Sequence, residues 1–486
     1  MLLFLTIALP MLGGAAMGLM RFSSAKSRGI YVETIVLATS ILTWVLLLTR
    51  TDTTYVLCHM NSELALAFRV DGMSCIFAGL VSILWPLASL YGFEYMQHEE
   101  RPNTFFSYYT MSYAVTLAVA FSANLFSLYV FYECLTLITL PLVIHKKDTM
   151  SIRAGRKYLT FSISGAALAF IALVFIIYYG TTTDFVLGGV LDAEKISGME
   201  ELLKFVFLLA FVGFGTKAAV FPMPAASVAP TPVTALLHAV AVVNAGAYAV
   251  LRVIYYSFGA SFLYGTWAQT VALLLSCFTI LFGSTMAVRE QHFKRRLAYS
   301  TISNLSYMLM GAALMTPDGM TGSLSHLVIH GVIKITLFYC AGAILIKTGK
   351  EYVQDLRGYS RIMPATCGIF LLGSIALVGT PPLAGFVSKW NLLTAASATE
   401  LPMGTVAIVC LIISAILTAI YLFTAALPMY FRPLNADQAQ LAGQKLDPSW
   451  MMLVPMGILC ALMIGLGLWS QPLVTFLRNI SAGVIF

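Results

Sequence analysis

The sequence predicts an all-α polytopic membrane protein of about fourteen transmembrane helices, and three observations carry the prediction. The 486 residues are 59% hydrophobic and only 10% charged, whereas soluble domains carry about 25% charged residues. Apolar runs of about 20 residues, each long enough to cross a hydrocarbon layer of about 30 Å, recur from end to end. Basic residues collect in alternate loops, as they do in the cytoplasmic loops of membrane proteins. A soluble chain of this size would split into domains joined by polar linkers, and no such linker or charged low-complexity tail is visible.

The expected spans are 2–20, 29–49, 73–95, 105–121, 123–145, 157–179, 203–222, 231–256, 265–289, 297–315, 321–347, 363–389, 404–431 and 450–478. The first is followed by Arg21, Lys26 and Arg28. A secretory signal would place basic residues ahead of the apolar run, so this segment reads as a retained helix. The fourth and fifth spans almost touch.

Loop charge sets the orientation. The odd-numbered loops hold Arg21, Lys26, Arg28, Arg101, Lys146, Lys147, Arg153, Arg156, Lys157, Arg289, Lys294, Arg295, Arg296, Lys347, Lys350, Arg357, Arg361, Arg432 and Lys445. The other side has Arg50, Arg69, Lys195, Lys204, Arg252 and Arg478. The richer side is expected to be cytoplasmic, with both termini on the opposite side of an inner (cell) membrane. The net charge of +7 follows from this bias and points to no nucleic-acid partner. Cys58, Cys75, Cys134, Cys277, Cys340, Cys367, Cys410 and Cys460 are scattered without a Cys-x-x-Cys pair. No iron–sulfur cluster, zinc ribbon or other cofactor is expected within the chain.

Three lysines fall in or at the edge of apolar spans, where a charge usually marks a pathway or a counter-ion. Lys217 lies in GFGTKAAVFPMP, with Pro222 and Pro224 as helix breaks. Lys389 lies in GTPPLAGFVSKW, just after Pro381 and Pro382; snorkelling at a span end is its alternative reading. Freed backbone in mid-membrane is tolerated only where protein or water surrounds it, and paired broken helices point to a repeat-built transporter. Glu133 sits about 15 Å into its span. A lysine beside it would let the pair trade an ion pair for protonation, as a relay needs; a static structural pair is the alternative. His326, His330 and Lys334 are spaced i, i+4, i+8 in SHLVIHGVIKITLFYCAG and line one helix face. Histidines there suit a hydrated proton path; zinc is disfavoured because HExxH is absent. His238, alone on the apolar helix of APTPVTALLHAVAV, would by itself more often be a satisfied core residue.

At these residues the chain resembles the antiporter-like, proton-translocating subunits shared by respiratory complex I, membrane-bound hydrogenases and multisubunit sodium/proton antiporters. The resemblance runs from about Phe68 to about Tyr421 and rests on FRVDGMSCIF, SANLFSLYVFYE, APTPVTALLHA, FKRRLAYSTISNLSYM, SHLVIHGVIKITLFYCAG and GTPPLAGFVSKW in that order. It implies two inverted five-helix repeats, helices 4–8 and 9–13, with helices 7 and 12 broken. The divisions would be 1–104 (helices 1–3), 105–256 (first repeat), 257–431 (second repeat) and 432–486 (loop and helix 14). Residue by residue, it implies that Glu133, Lys217, His238, His326, His330, Lys334 and Lys389 form the proton pathway. After Lys217 the family pattern P-x-H-x-W-L-P is replaced by the shorter FPMPAASVAPTPV, which affects the local entry route. No long lateral helix is expected after helix 14, so the resemblance is to the shorter paralogues.

The resemblance implies a non-redox, ion-translocating subunit working beside other membrane subunits, including paralogous ones, and a peripheral redox arm, all in contact with lipid. Three alternatives stand beside it: a sodium/proton antiporter subunit, a membrane subunit of an inorganic-carbon uptake complex, and a structural anchor that no longer conducts. The intact charged set disfavours the last.

Overall fold

Helices form where apolar sequence runs unbroken, and several start at residues suited to capping. In a computed structural model describing residues 1–49, 53–61, 64–220, 229–239, 241–399, 402–435 and 443–484, with side chains of 219–220 and 236–239 set aside, the N-terminal helices are α1 (Leu2–Leu19), α2 (Ala25–Thr49), α3 (Gly72–Tyr95), α4 (Pro102–Phe121), α5 (Leu125–Val143), α6 (Thr149–Tyr179) and α7 (Glu200–Gly215). Then come α8 (Thr231–Ala239), α9 (Val242–Arg252), the single turn α10 (Ala260–Leu263), α11 (Trp267–Arg289), α12 (Phe293–Ala313) and α13 (Pro317–Thr348). The chain closes with α14 (Pro364–Val378), α15 (Ala384–Ser397), α16 (Pro402–Phe431), α17 (Trp450–Leu468) and α18 (Gln471–Ser481). Asp71, Asn124, Asp148, Thr266 and Thr316 each accept a backbone N–H at a helix start, which satisfies one of the donors that the first turn leaves free.

The described residues are almost wholly helical, and the molecule is an integral membrane protein. Among the described residues, nine helices are long and apolar enough to cross a membrane alone. The others fall short for local reasons. α12 opens on Lys294, Arg295 and Arg296 and carries five buried hydroxyl or amide side chains between Ser300 and Ser306, while α7, α8, α9, α14 and α15 are pieces of interrupted spans. α13 is the axis of the fold. It is buried along most of its length, whereas α17 buries only a minority of its residues, and it packs on α3, α8, α12, α14, α15, α17 and α18.

Contacts between loops separate two faces. On one, Arg28 bonds Asn103 at 3.2 Å, Lys146 pairs with Glu99 at 3.5 Å, Lys347 pairs with Glu94 at 3.0 Å, and His292 pairs with Glu351 at 3.5 Å. These join the first, third, fifth, ninth and eleventh loops. On the other, Arg69 reaches the Phe185 carbonyl at 2.8 Å, and Asn124 bridges Asp184. The basic-rich loops therefore share one face, as their charge bias requires.

Four features correct the expectations. The link after α2 contains a two-stranded antiparallel ribbon, β1 (Tyr55–His59) and β2 (Ala65–Phe68). Its free edge is used: the Ala123 N–H donates to the Ala67 carbonyl at 3.0 Å, which answers the need to satisfy backbone near hydrocarbon. The expected span 231–256 is not one helix. α8 ends at Ala239, α9 begins at Val242, and Val253–Phe258 winds as a π-helix. The expected span 363–389 ends too early: its break removes residues 379–383 from helix, so the crossing continues to Ser397. Lys389 is therefore inside α15 and only 8% exposed, which removes the ground for snorkelling. The last span divides into α17 and α18.

Candidate functional site

The first lysine owes its place to an irregular turn. α7 ends at Gly215, and Thr216–Val220 forms a π-helical turn containing Lys217; such turns cost regular hydrogen bonding and often occur at functional sites. α9 presses against this turn at Gly246, where an added Cβ would lie 2.6 Å from the Ala218 nitrogen. Only glycine permits that approach. Lys217 Nζ donates to Glu133 Oε1 at 3.1 Å and to the Tyr132 carbonyl at 2.5 Å, and lies 3.4 Å from the Tyr132 ring centroid. The Tyr132 hydroxyl in turn donates to the Phe214 carbonyl at 2.7 Å, fixing α5 to the end of α7. Lys217 is 1% exposed, while the Glu133 side chain is 23% exposed. The carboxylate thus opens toward the flank of α5, and the ammonium is sealed behind it.

The second lysine is held differently. α14 stops at Gly379, in the left-handed region with φ 94°, which favours glycine; Pro381 and Pro382 lie in the turn before α15. The break leaves the last carbonyls of α14 without helical partners. Lys389 Nζ fills that role, donating to the Leu377 carbonyl at 2.7 Å and the Val378 carbonyl at 3.0 Å. It thereby sits at the negative end of the α14 dipole. The Tyr307 ring lies 5.5 Å away, within cation–π range.

Between the two lysine sites runs the polar face of α13. His326, His330 and Lys334 are all buried. His326 Nδ1 shares a hydrogen bond with Ser388 Oγ at 2.9 Å, which ties the central helix to the residue beside Lys389. The rings of His326 and His330 lie 5.7 Å apart. Lys334 Nζ donates to Ser300 Oγ at 2.6 Å, and Ser300 pairs with the Tyr421 hydroxyl at 2.7 Å. Among the described residues, neither Lys334 nor Lys389 has a carboxylate within ion-pair distance. His238 belongs to α8, but its side chain is outside the described residues, as are Pro222 and Pro224.

Several polar residues escaped the sequence reading. Ser388 adjoins Lys389 in GFVSKW, Ser300 lies within FKRRLAYSTISNLSYM, and Tyr132 precedes Glu133; adjacency was the available signal. Arg252, counted among the basic residues of the sparser side, is wholly buried. It donates from Nη2 to Asp71 Oδ1 at 2.6 Å and to the Tyr248 hydroxyl at 2.7 Å, and lies 4.8 Å from the rings of Phe185 and Tyr256. Asp71 also caps α3, so one carboxylate joins α3 to α9.

The family model described as "NADH:quinone oxidoreductase/Mrp antiporter, TM" matches residues 122–418, and one described as "NADH-Ubiquinone oxidoreductase (complex I), chain 5 N-terminus" matches residues 59–106. NADH-quinone oxidoreductase subunit N of Desulforudis audaxviator is 29% identical, over 82% of this chain and 80% of that one. One subunit of the Na(+)/H(+) antiporter of Alkalihalophilus pseudofirmus is 32% identical, over 75% of this chain but only 47% of its own length. Among solved structures, a chain of the membrane-bound sulfane sulfur reductase, an archaeal respiratory membrane complex, superposes with a TM-score of 0.84 at 18% identity, covering 99% of this chain and 97% of that one. That likeness is one of fold.

Proposed function

Because the chain belongs to the NADH:quinone oxidoreductase/Mrp antiporter transmembrane family, we propose that it translocates protons as the antiporter-like subunit of a multisubunit energy-converting membrane complex. The observation that carries this reading is the Glu133–Lys217 pair, 3.1 Å apart with the lysine 1% exposed. A buried ammonium is tolerable while a carboxylate faces it. A proton arriving on Glu133 cancels that attraction and releases Lys217 to pass its own proton inward. The onward path runs through His238, Lys334, His330 and His326 to Lys389, with Ser300 and Tyr421 supplying hydroxyls beside Lys334 and Ser388 positioning His326.

A path alone cannot pump. Something must bias the two protonation states through differential interaction with two conformations. We assign that bias to neighbouring membrane subunits, paralogous ones included, and to a peripheral redox arm, while this subunit works with no cofactor of its own. The basic-rich face is cytoplasmic in this reading, the termini lie on the opposite side of a cell membrane, and segments 105–256 and 257–431 are the two inverted repeats. Sodium/proton exchange is the second reading, favoured by the similarity to the Na(+)/H(+) antiporter of Alkalihalophilus pseudofirmus.

The test is reconstitution of the subunit with its co-purifying partners in sealed vesicles. Driven proton uptake should be lost in Glu133→Gln while assembly is retained. Wild-type uptake by that variant would overturn the proposal. Uptake that needs sodium, and persists as sodium flux when protons are short-circuited by a protonophore, would select the second reading.

A further inference from the structure

A second membrane carboxylate lies outside this path. Glu33 is about 12 Å from the start of α2, counting 1.5 Å per residue. It accepts a hydrogen bond from Ser89 Oγ on α3, and no cation pairs with it among the described residues. Ser89 is fully buried, so the carboxylate points into the protein. Membrane carboxylates without a counter-charge face the bundle interior and mark ion pathways.

The surroundings are unusual for a simple packing contact. Tyr109 on α4 lies within Coulombic range of Glu33, Tyr113 and Tyr339. The Tyr109 hydroxyl, the Tyr339 hydroxyl and the Trp85 indole N–H are all buried with no hydrogen-bond partner among the described residues. Trp85 packs between Tyr109 and Tyr113 with ring centroids 5.5 and 4.7 Å away, and Tyr113 bonds Ser40 at 2.9 Å. Buried donors of this kind are almost always satisfied, by ordered water where protein does not serve. Toward the basic-rich face, Glu94 lies five residues beyond Ser89 on α3, about 7.5 Å along the helix, and binds Lys347 at 3.0 Å. Toward the centre, Tyr339 belongs to α13, five residues from Lys334, and stacks on Tyr91 with centroids 3.9 Å apart.

We propose that Glu33 is a proton-loading site of a second, hydrated inlet, formed with Ser89, Tyr109 and Tyr339, that runs from the basic-rich face between α2, α3 and α4 to the central helix. The inlet rests on the proton-translocating reading above. Its occupants are water and a proton, and its role is to supply α13 by a route that avoids Glu133.

Dicyclohexylcarbodiimide tests the site directly. The O–H of a protonated carboxyl adds across one C=N bond of the reagent: the oxygen bonds to carbon and the proton passes to nitrogen. The O-acylisourea then rearranges to a stable N-acylurea, with no oxidant and no leaving group. Treat the assembled complex in membranes and map adducts by peptide mass spectrometry. An adduct at Glu33 that is missing in Glu33→Gln, with proton uptake by that variant reduced several-fold, is the expected result. Tyr109→Phe keeps the carboxyl and the packing but removes the hydroxyl. It should retain the adduct and lose uptake, and it decides the matter if Glu33→Gln fails to assemble. An unmodified Glu33 beside a modified Glu133, or wild-type uptake in both Glu33→Gln and Tyr109→Phe, overturns the inlet. Glu133→Gln is run in parallel: wild-type uptake there would defeat the translocation reading itself, whereas loss there with no effect at Glu33 defeats only the inlet.

Discussion

Lys217 and Lys389 pose the same physical problem, an ammonium inside a bundle at a helix irregularity, and the protein solves it in two ways. Lys217 faces a full counter-charge in Glu133 at 3.1 Å. Among the described residues, Lys389 faces no carboxylate but the Leu377 and Val378 carbonyls freed by the break after α14 and the Tyr307 ring, and Lys334 donates to the Ser300 hydroxyl. The first arrangement can be switched from outside the lysine, because one proton on the carboxylate removes most of the attraction. The second cannot, since carbonyls do not titrate, so a change there must come from the lysine itself or from movement of the helix end. An input stage answering to a neighbour and an output stage answering to its own charge is the division of labour this contrast suggests.

The largest effect is expected from breaking the switchable pair. Glu133→Gln leaves Lys217 facing a neutral amide, and driven proton uptake in vesicles should fall at least about tenfold, a barrier change of about 1.4 kcal/mol or more. Removing one partner of a buried pair costs about 3–5 kcal/mol; partial exposure of Glu133 puts the expected loss at or below the lower end. Thermal unfolding of the purified complex reads it. The double variant Glu133→Gln/Lys217→Met should regain much of that stability and none of the uptake, because no buried ion is then left unpaired. A double variant as unstable as Glu133→Gln would show that the pair is not what the stability depends on.

Lys389→Met should separate function from stability more sharply. It strands no carboxylate, so the stability loss should stay below that of Glu133→Gln, at about 1.5 kcal/mol, the low end for hydrogen bonds to a charged donor, while uptake falls as far. Equal destabilisation in the two variants would erase the distinction between a charge-paired and a dipole-held lysine.

Ser300→Ala comes next. It removes the hydroxyl acceptor of Lys334 and leaves Tyr421 without that partner, at about 1.5 kcal/mol, and uptake should drop a few-fold. Tyr421→Phe, which touches Lys334 only through Ser300, should do less. The reverse order would place the tyrosine, not the serine, next to the moving proton.

The smallest effect belongs to Ser388→Ala. One neutral hydrogen bond from His326 is lost, worth about 1 kcal/mol, and uptake should fall about twofold or less. A larger loss would make Ser388 a member of the path and not a strut between α13 and α15.

Much of this was legible in the chain itself. The apolar runs, the Gly and Pro clusters near Lys217 and Lys389, and the i, i+4, i+8 spacing on α13 are local patterns, and each constrains structure within one or two helices. What escaped notice depends on partners far apart in sequence. Arg252 looked like one more basic residue of the sparser side because nothing near it names Asp71, 181 positions away. Glu33 attracted no attention because its partner Ser89 is on another helix. The extent of span twelve was misjudged for a related reason: a turn that removes residues from helix lengthens the crossing, and hydropathy does not report how the chain turns.

The sequence by itself determined that the chain is membrane-embedded, which of its loops share a face, and that Glu133, Lys217 and Lys334 lie along apolar spans. Those follow from transfer free energies and from a helical rise that every residue obeys. Tertiary structure alone decided which buried lysine received a carboxylate and which received carbonyls. Only packing α5 against the end of α7 brings Tyr132 and Glu133 to Lys217, and only the turn between α14 and α15 folds Lys389 back onto the last carbonyls of α14. A charge pays its desolvation cost through neighbours within about 3–4 Å, and for these lysines the neighbours come from other turns and other helices, which hydropathy along the chain does not bring together.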